Sequence, residues 1–182
     1  MQQVSVVFHS SYGNTLKQAE AVGRGAVAVP DTRLVLVPVE QVSDHWPDLQ
    51  ASDALVFGAP TYMGSASAKF KAFMEETSHR VWAKQEWRDK LAAGFTNSGW
   101  PSGDKLQTLV QLSSFAAQHG MIWLGLDVLP SDDGPNRLGS WLGAMARSPS
   151  QGDGPSEADL LAATHLGRRV ADWAARVRRV RT

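Results

Sequence analysis

Between Ser10 and Thr15 the chain reads Ser-Ser-Tyr-Gly-Asn-Thr, polar side chains around one glycine with neither lysine nor arginine among them. Such a set donates hydrogen bonds without carrying charge. It lies between an apolar run, Val4 to Phe8, and a helix-periodic run that starts at Leu16, the pattern of a strand-to-helix turn. The first N–H groups of a helix have no intrahelical partner and point outward together with the positive end of the helix dipole. That spot suits an anion, above all a phosphate. Ser10, Asn14 and Thr15 surround it with side-chain donors, and Gly13 permits a tight turn or a close approach to a ligand oxygen. The lysine of the nucleotide-triphosphate loop is missing, which argues against ATP or GTP. Taken alone, the same residues would serve equally as a capped turn that holds nothing.

Two further stretches have the character of ligand loops. Pro60-Thr61-Tyr62-Met63-Gly64-Ser65 combines a proline, a glycine and a flat aromatic ring. Thr96 to Asp104 includes Asn97, Ser98, Gly99, Trp100, Pro101, Ser102 and Gly103, a mixture of glycines, hydroxyls and an indole that suits a flat ligand with polar edges. Tyr62 and Trp100 are placed either to stack on such a ring or to pack. For Trp87 packing is the default. His119, just before Gly120, is either a polar helix terminus favoured by the dipole or a functional group.

The elements that must position these residues follow from periodicity. Val4 to Phe8 is a continuous apolar run, the pattern of a strand buried on both faces, Leu34 to Val39 is a second apolar, β-branched run, and Ala54 to Phe57, Leu91 to Phe95 and Met121 to Leu129 read as the third, fourth and fifth strands. Between them, helical spacing is carried by Leu16, Ala19, Val22, Gly23 and Ala26, and by Phe70, Phe73, Met74, Thr77 and Val81. Leu106, Leu109, Val110, Ser113, Ala116 and Ala117 form a later stripe, and Asp44 to Leu49 could hold a helical turn. Pro130 to Pro155 is rich in Gly, Pro, Ser and Asp, longer than the roughly 12 to 15 residues usual for a connection, and so reads as a functional or mobile loop. Ser156 with Asp159 resembles a capping box opening a last helix that buries Leu166, Val170, Trp173, Ala174 and Val177. Alternating strands and helices imply right-handed crossovers and a parallel sheet. With strand order 2-1-3-4-5, a doubly wound α/β sheet with helices on both faces, ligands bind beyond the strand carboxyl ends where the order reverses, and there the candidate loops meet.

At 182 residues the chain fits one domain, spanning 1–182. The absence of cysteine excludes disulfides and thiolate catalysis. No apolar run approaches the ~20 residues of a membrane span and no signal-peptide pattern opens the chain, so a cytoplasmic protein without a membrane partner is expected. Eighteen basic against 18 acidic residues leave no field for nucleic acid. The arginines of the last helix, from Arg168 to Arg181, read as a solvated face.

The loops on this scaffold resemble those of the flavodoxin-like superfamily, and most closely the WrbA-like NAD(P)H:quinone oxidoreductases. Ser10 to Thr15 is similar to the loop that cradles the phosphate of flavin mononucleotide (FMN), with the family's Ser-x-Tyr-Gly. Pro60 to Gly64 matches its Pro-Thr-x-x-Gly, and His119-Gly120-Met121 its His-Gly-Met. The resemblance implies that Ser10 to Thr15 bind the FMN phosphate. It implies that Pro60, Thr61, Tyr62, Met63, Gly64, Asn97, Ser98, Gly99, Trp100 and Gly103 hold the isoalloxazine edges through backbone groups, that Trp82 lines the acceptor site and that His119 lies near a flavin. NADPH or NADH would be the donor, a quinone-like small molecule the acceptor, and the assembly a homo-oligomer, a dimer or tetramer. Two features depart from the family: Trp100-Pro101 stands where its loop has small residues, and only Gln41 to Ser52 separates the second and third strands. A one-electron carrier of the flavodoxin kind is the alternative; such carriers tend to be strongly acidic, whereas this chain has a formal net charge of zero. A flavin-free scaffold is the third reading. Because His119 falls at the amino edge of the sheet, opposite its own chain's loops, a role at a flavin would have to be played in a neighbouring subunit.

Overall fold

A computed structural model describes residues 1–149 and 154–181. Its sheet is built from β1 (Gln2–Phe8), β2 (Thr32–Pro38), β3 (Ala54–Tyr62), β4 (Ser65–Ala66), β5 (Leu91–Ser98), β6 (Ile122–Trp123) and β7 (Ala144–Arg147). The helices are α1 (Asn14–Val27), α2 (Trp46–Ala51), α3 (Ala68–Arg80), α4 (Lys105–Gln118) and α5 (Glu157–Arg181). Strand order is β2-β1-β3-β5-β6. This is the expected doubly wound path, with the numbering displaced by β4, a short strand antiparallel to the end of β3. The remaining pairings are parallel.

Alternation along the strands divides the core. Val4, Val6 and Phe8 of β1, Val56 of β3 and Phe95 of β5 face α1 and α5, burying Val22, Leu166 and Val170. Val7, Leu55, Phe57 and Ala92 face α3 and α4, against Phe70, Phe73, Leu112 and Phe115. Trp87 has no exposed surface and sits among these rings, 6.2 Å from Phe57 between centroids, which settles it as packing.

Several elements depart from their sequence patterns. The fifth strand position is composite: β6 pairs with Leu91 and Ala92, and β7 pairs with Phe95 to Ser98. Met121 to Leu129 is therefore not one strand. After Leu124 the chain leaves the sheet, Leu126 N–H donates to the Trp141 carbonyl at 2.9 Å, and Gly125 passes so close to Trp141 that a Cβ would stand 2.2 Å from its oxygen. Leu124 and Leu126 stay buried, so their apolar character reports the core and not a strand. The stretch expected to be a long loop, Pro130 to Pro155, supplies β7 instead; its residues 150–153 lie outside the described residues.

In α4 the buried face is Thr108, Leu109, Leu112, Phe115 and Ala116, while Leu106 and Val110 are exposed. Apolar residues occur on both faces of this helix, so spacing alone does not select between them. Leu16 of α1 and Trp173 of α5 are likewise more exposed than their stripes imply. The final helix keeps half its capping box: Asp159 N–H donates to Ser156 Oγ at 3.2 Å, but the Asp159 carboxylate accepts from the Arg147 N–H at 2.8 Å and pairs with Arg137, tying α5 to β7. Among the described residues no helix is long and apolar enough to cross a membrane, and no acidic, histidine and cysteine cluster could hold a metal.

Candidate functional site

Because β1, β3 and β5 are neighbours, the segments that leave their carboxyl ends stand side by side. In the turn after β1, Gly13 caps α1 at φ 83°, a left-handed conformation that a side chain would strain. The Leu16 N–H donates to Ser10 Oγ at 3.1 Å, so that oxygen is engaged as an acceptor and its hydrogen is left to donate. Thr15, buried, is in the same position: Asn97 Nδ2 donates to Thr15 Oγ1 at 2.8 Å. Asn97 also donates to Gln18 Oε1 at 3.1 Å, and Gln18 to the Thr96 carbonyl at 3.2 Å. Two hydroxyl hydrogens and the unpaired N–H groups of the helix start thus form an anion cradle, braced from beneath by β5. Asn14 Oδ1 is buried without a partner. A ligand hydroxyl would satisfy it, so the turn fits a phosphate ester that carries further hydroxyls. Ser11 and Tyr12 are exposed at the rim.

The second candidate stretch is a β-hairpin and not an open loop. Pro60, Thr61 and Tyr62 are the last residues of β3, Tyr62 pairs with Ser65, and Met63 (φ 49°) and Gly64 (φ 78°) form a two-residue turn with both φ positive. Thr96 Oγ1 donates to the Ala59 carbonyl at 2.7 Å, so it accepts from Thr61, and Thr61 in turn accepts from Thr108, each at 2.8 Å. The Thr61 hydroxyl therefore has no hydrogen left for a ligand, and only its backbone could serve one. Tyr62 is partly exposed and Met63 fully so.

In the third stretch Asn97 and Ser98 belong to β5, and the loop proper starts at Gly99. Trp100 is 75% exposed. Gly103 crosses Ser98 so closely that a Cβ would stand 2.0 Å from its Oγ. Ser148 N–H donates to the Ser98 carbonyl at 2.9 Å. Beside this loop lies a groove of about 680 Å³ whose walls include Pro101, Leu106, Trp141 and Met145.

Two residues that sequence reasoning passed over brace the site. His9, buried just after β1, bonds Ser67 Oγ through Nδ1 at 2.7 Å and stands 3.6 Å from Glu40 and 3.5 Å from Ser11 Oγ, linking the Ser10 to Thr15 turn to the start of α3. Burial pulls its imidazole below the ordinary range, Glu40 opposing and Lys69 adding to the shift. Lys105 is fully buried beneath the third loop, and burial lowers its ammonium as well, with Asp159 opposing and Arg147 adding. Neither has a local sequence signal beyond adjacency to the loops.

Trp82 and His119 are brought together, but away from these loops. They line a pocket of about 190 Å³ with Met74, Ser78 and Phe115, at the amino edge of the sheet where Gly120 bonds Asp89 ahead of β5. Trp82 Nε1 donates to the Gln118 carbonyl at 2.9 Å. His119 is 2% exposed and lies against Trp87, with centroids 4.7 Å apart. Thr77 Oγ1 spends its hydrogen on the Met74 carbonyl, so at 3.0 Å it accepts from His119 Nε2–H. That fixes the tautomer and leaves Nδ1 a buried acceptor without a partner. Burial lowers the His119 pKa to about 4, so the ring is neutral.

A family model described as NADPH-dependent FMN reductase matches residues 36–133, more than half of the chain. Flavodoxin FldP of Pseudomonas aeruginosa is 37% identical over 84% of this chain and 85% of its own length. The NAD(P)H dehydrogenase (quinone) of Archaeoglobus fulgidus is 34% identical over 96% of this chain and 98% of its own. Among solved structures, a flavodoxin, WrbA-like protein from Agrobacterium tumefaciens superposes with a TM-score of 0.78 at 37% identity, over 97% of this chain and 99% of the other.

Proposed function

Because the chain belongs to the family of NADPH-dependent FMN reductases and has the flavodoxin-like fold, we propose that it is an FMN-dependent oxidoreductase passing electrons from NAD(P)H to a quinone or similarly flat acceptor. The observation that carries the site assignment is the pair of hydroxyls, Ser10 and Thr15, whose oxygens already accept hydrogen bonds and whose hydrogens are free for an anion. FMN, when bound, supplies the electron-accepting and electron-donating chemistry. Ser10, Ser11, Tyr12, Gly13, Asn14 and Thr15 hold its phosphate. The ends of β3 and β5, from Pro60 to Gly64 and from Asn97 to Gly103, frame the ring through backbone groups, with Tyr62 and Trp100 exposed for stacking. Trp82 and His119 shape an acceptor site completed across a subunit boundary in a homo-oligomer, the neutral imidazole offering Nδ1 as an acceptor.

The 37% identity to a protein named flavodoxin favours the second reading, an electron carrier that docks on redox partners. Anaerobic stopped-flow mixing of the FMN-loaded protein with NADH or NADPH separates the two. An enzyme bleaches the flavin directly, and added quinone restores it in a ping-pong pattern. No bleaching with either nicotinamide, together with reduction by a ferredoxin-type reductase, selects the carrier.

A further inference from the structure

Lys105 opens α4 immediately after the third loop and has 0% exposed surface. Its Nζ lies 3.1 Å from Ser98 Oγ and 2.8 Å from each of the Trp100 and Pro101 carbonyl oxygens. The Ser98 hydroxyl spends its only hydrogen on the Trp100 carbonyl, 3.1 Å away, so Ser98 Oγ must accept from the lysine. Both carbonyls can only accept. Three acceptors match the three N–H groups of an ammonium one for one.

All three acceptors are neutral, and the start of a helix is the end whose dipole disfavours a cation. The nearby Asp159 carboxylate is engaged with Arg137 and the Arg147 N–H. Ahead of the lysine, Gly103 and Asp104 both adopt φ 52°, a left-handed conformation that costs a non-glycine residue energy, though aspartate less than most. Burial, dipole and backbone all oppose this placement. What it achieves is a loop pinned at Ser98, Trp100 and Pro101 from below, while Ser148, just past β7, and Arg147 at its end hold Ser98 and Gly99.

We propose that Lys105 is a positioning residue for the flavin ring, fastening the third loop in its receiving shape and favouring the electron-loaded, negatively charged ring over the oxidised neutral one. This rests on the FMN reading above. The test uses Lys105→Met, Lys105→Arg and Ser98→Ala in the full chain. Its readouts are hydrogen exchange of residues 98–104 without flavin, FMN affinity by fluorescence quenching, and the midpoint potential of bound FMN. Lys105→Met should raise loop exchange, weaken FMN about tenfold or more and lower the potential. Lys105→Arg, which keeps the charge but not the three-point fit, should retain more of the potential than of the affinity. Ser98→Ala removes one anchor and keeps the other two and the charge, should shift exchange and affinity the same way by less, and decides the matter if Lys105→Met does not fold. Unchanged loop exchange and unchanged potential in the folded variants would overturn the proposal. A wild-type chain that takes up no FMN would sink the flavin reading and the charge effect with it, while exchange in the flavin-free protein still decides whether Lys105 fastens the loop.

Discussion

Donor types in the Ser10 to Thr15 turn are legible in the sequence, but their directions are not. That Ser10 and Thr15 keep a free hydrogen depends on Leu16 N–H and Asn97, the latter 82 positions away from Thr15. Losing one hydrogen bond to a charged phosphate costs roughly 1.5 to 3 kcal/mol, so Thr15→Ala should weaken FMN binding at least about tenfold. Riboflavin, which lacks the phosphate, should bind weakly to wild type and equally to the variant. Equal wild-type affinity for the two flavins would refute a phosphate-anchored site. His119 carries a second residue-scale consequence. Its pKa falls from 6.5 to about 4 on burial, so between those values the unfolded chain binds more protons than the folded one. The contribution is full above pH 6.5 and is lost as pH falls toward 4, on the order of 3 kcal/mol in all. Urea unfolding across that window should show the loss in wild type and a flatter profile in His119→Asn; parallel profiles would contradict the assignment. No spacing rule announces such a residue, because a buried histidine and an exposed one look alike in sequence.

Central strands are legible as continuous apolar runs, and helices wherever one face alone is apolar. The first and third strands and α3 follow their patterns; the second is an edge strand, Thr32–Pro38, mostly half-buried, with Val39 already in the turn that follows, whereas α4 carries Leu106 and Val110 on its outer face and Leu109, Leu112 and Phe115 on its inner one. The split fifth strand was hidden for a related reason: β7 is Ala-Met-Ala-Arg, with no β-branched residue to mark it, and it pairs only because β5 offers an open edge. The crossing of α1 and α5 was also unannounced. A Cβ on Gly25 would stand 1.8 Å from the Thr164 carbonyl oxygen, and one on Gly167 would stand 1.9 Å from that of Val22. These neighbours are backbone and cannot rotate away. Gly25→Ala and Gly167→Ala should therefore each destabilise by about 1 to 3 kcal/mol through overpacking, measured by chemical denaturation. At Gly64 a Cβ meets nothing within 4 Å, so Gly64→Ala should lose only the smaller backbone penalty of its φ of 78°. A Gly25→Ala variant as stable as wild type would mean that the helices separate without cost.

At the scale of the whole molecule, the separation between the candidate loops and the pocket of Trp82 and His119 sets the last test. The 14-residue α4 runs from the third loop to His119, and at about 1.5 Å per residue that is roughly 21 Å. A side chain cannot span this distance, so within one chain the Trp82 indole and the His119 Nδ1 do not reach a ring held by the loops. If they serve the acceptor, they serve it on a flavin bound by a neighbour, and a closed homo-oligomer follows. The exposed part of Trp82, 46% of its surface, is then what a second subunit's ligand would cover. Trp82→Ala should raise the KM for a quinone several-fold and leave FMN affinity nearly unchanged, since it lies far from the phosphate turn. His119→Asn should slow turnover in the assembled form and leave a monomeric form as it was. Sedimentation velocity run beside quinone-reductase assays across protein concentration decides it. Activity per chain should fall as the oligomer dissociates, and a monomer with full activity would confine Trp82 and His119 to packing.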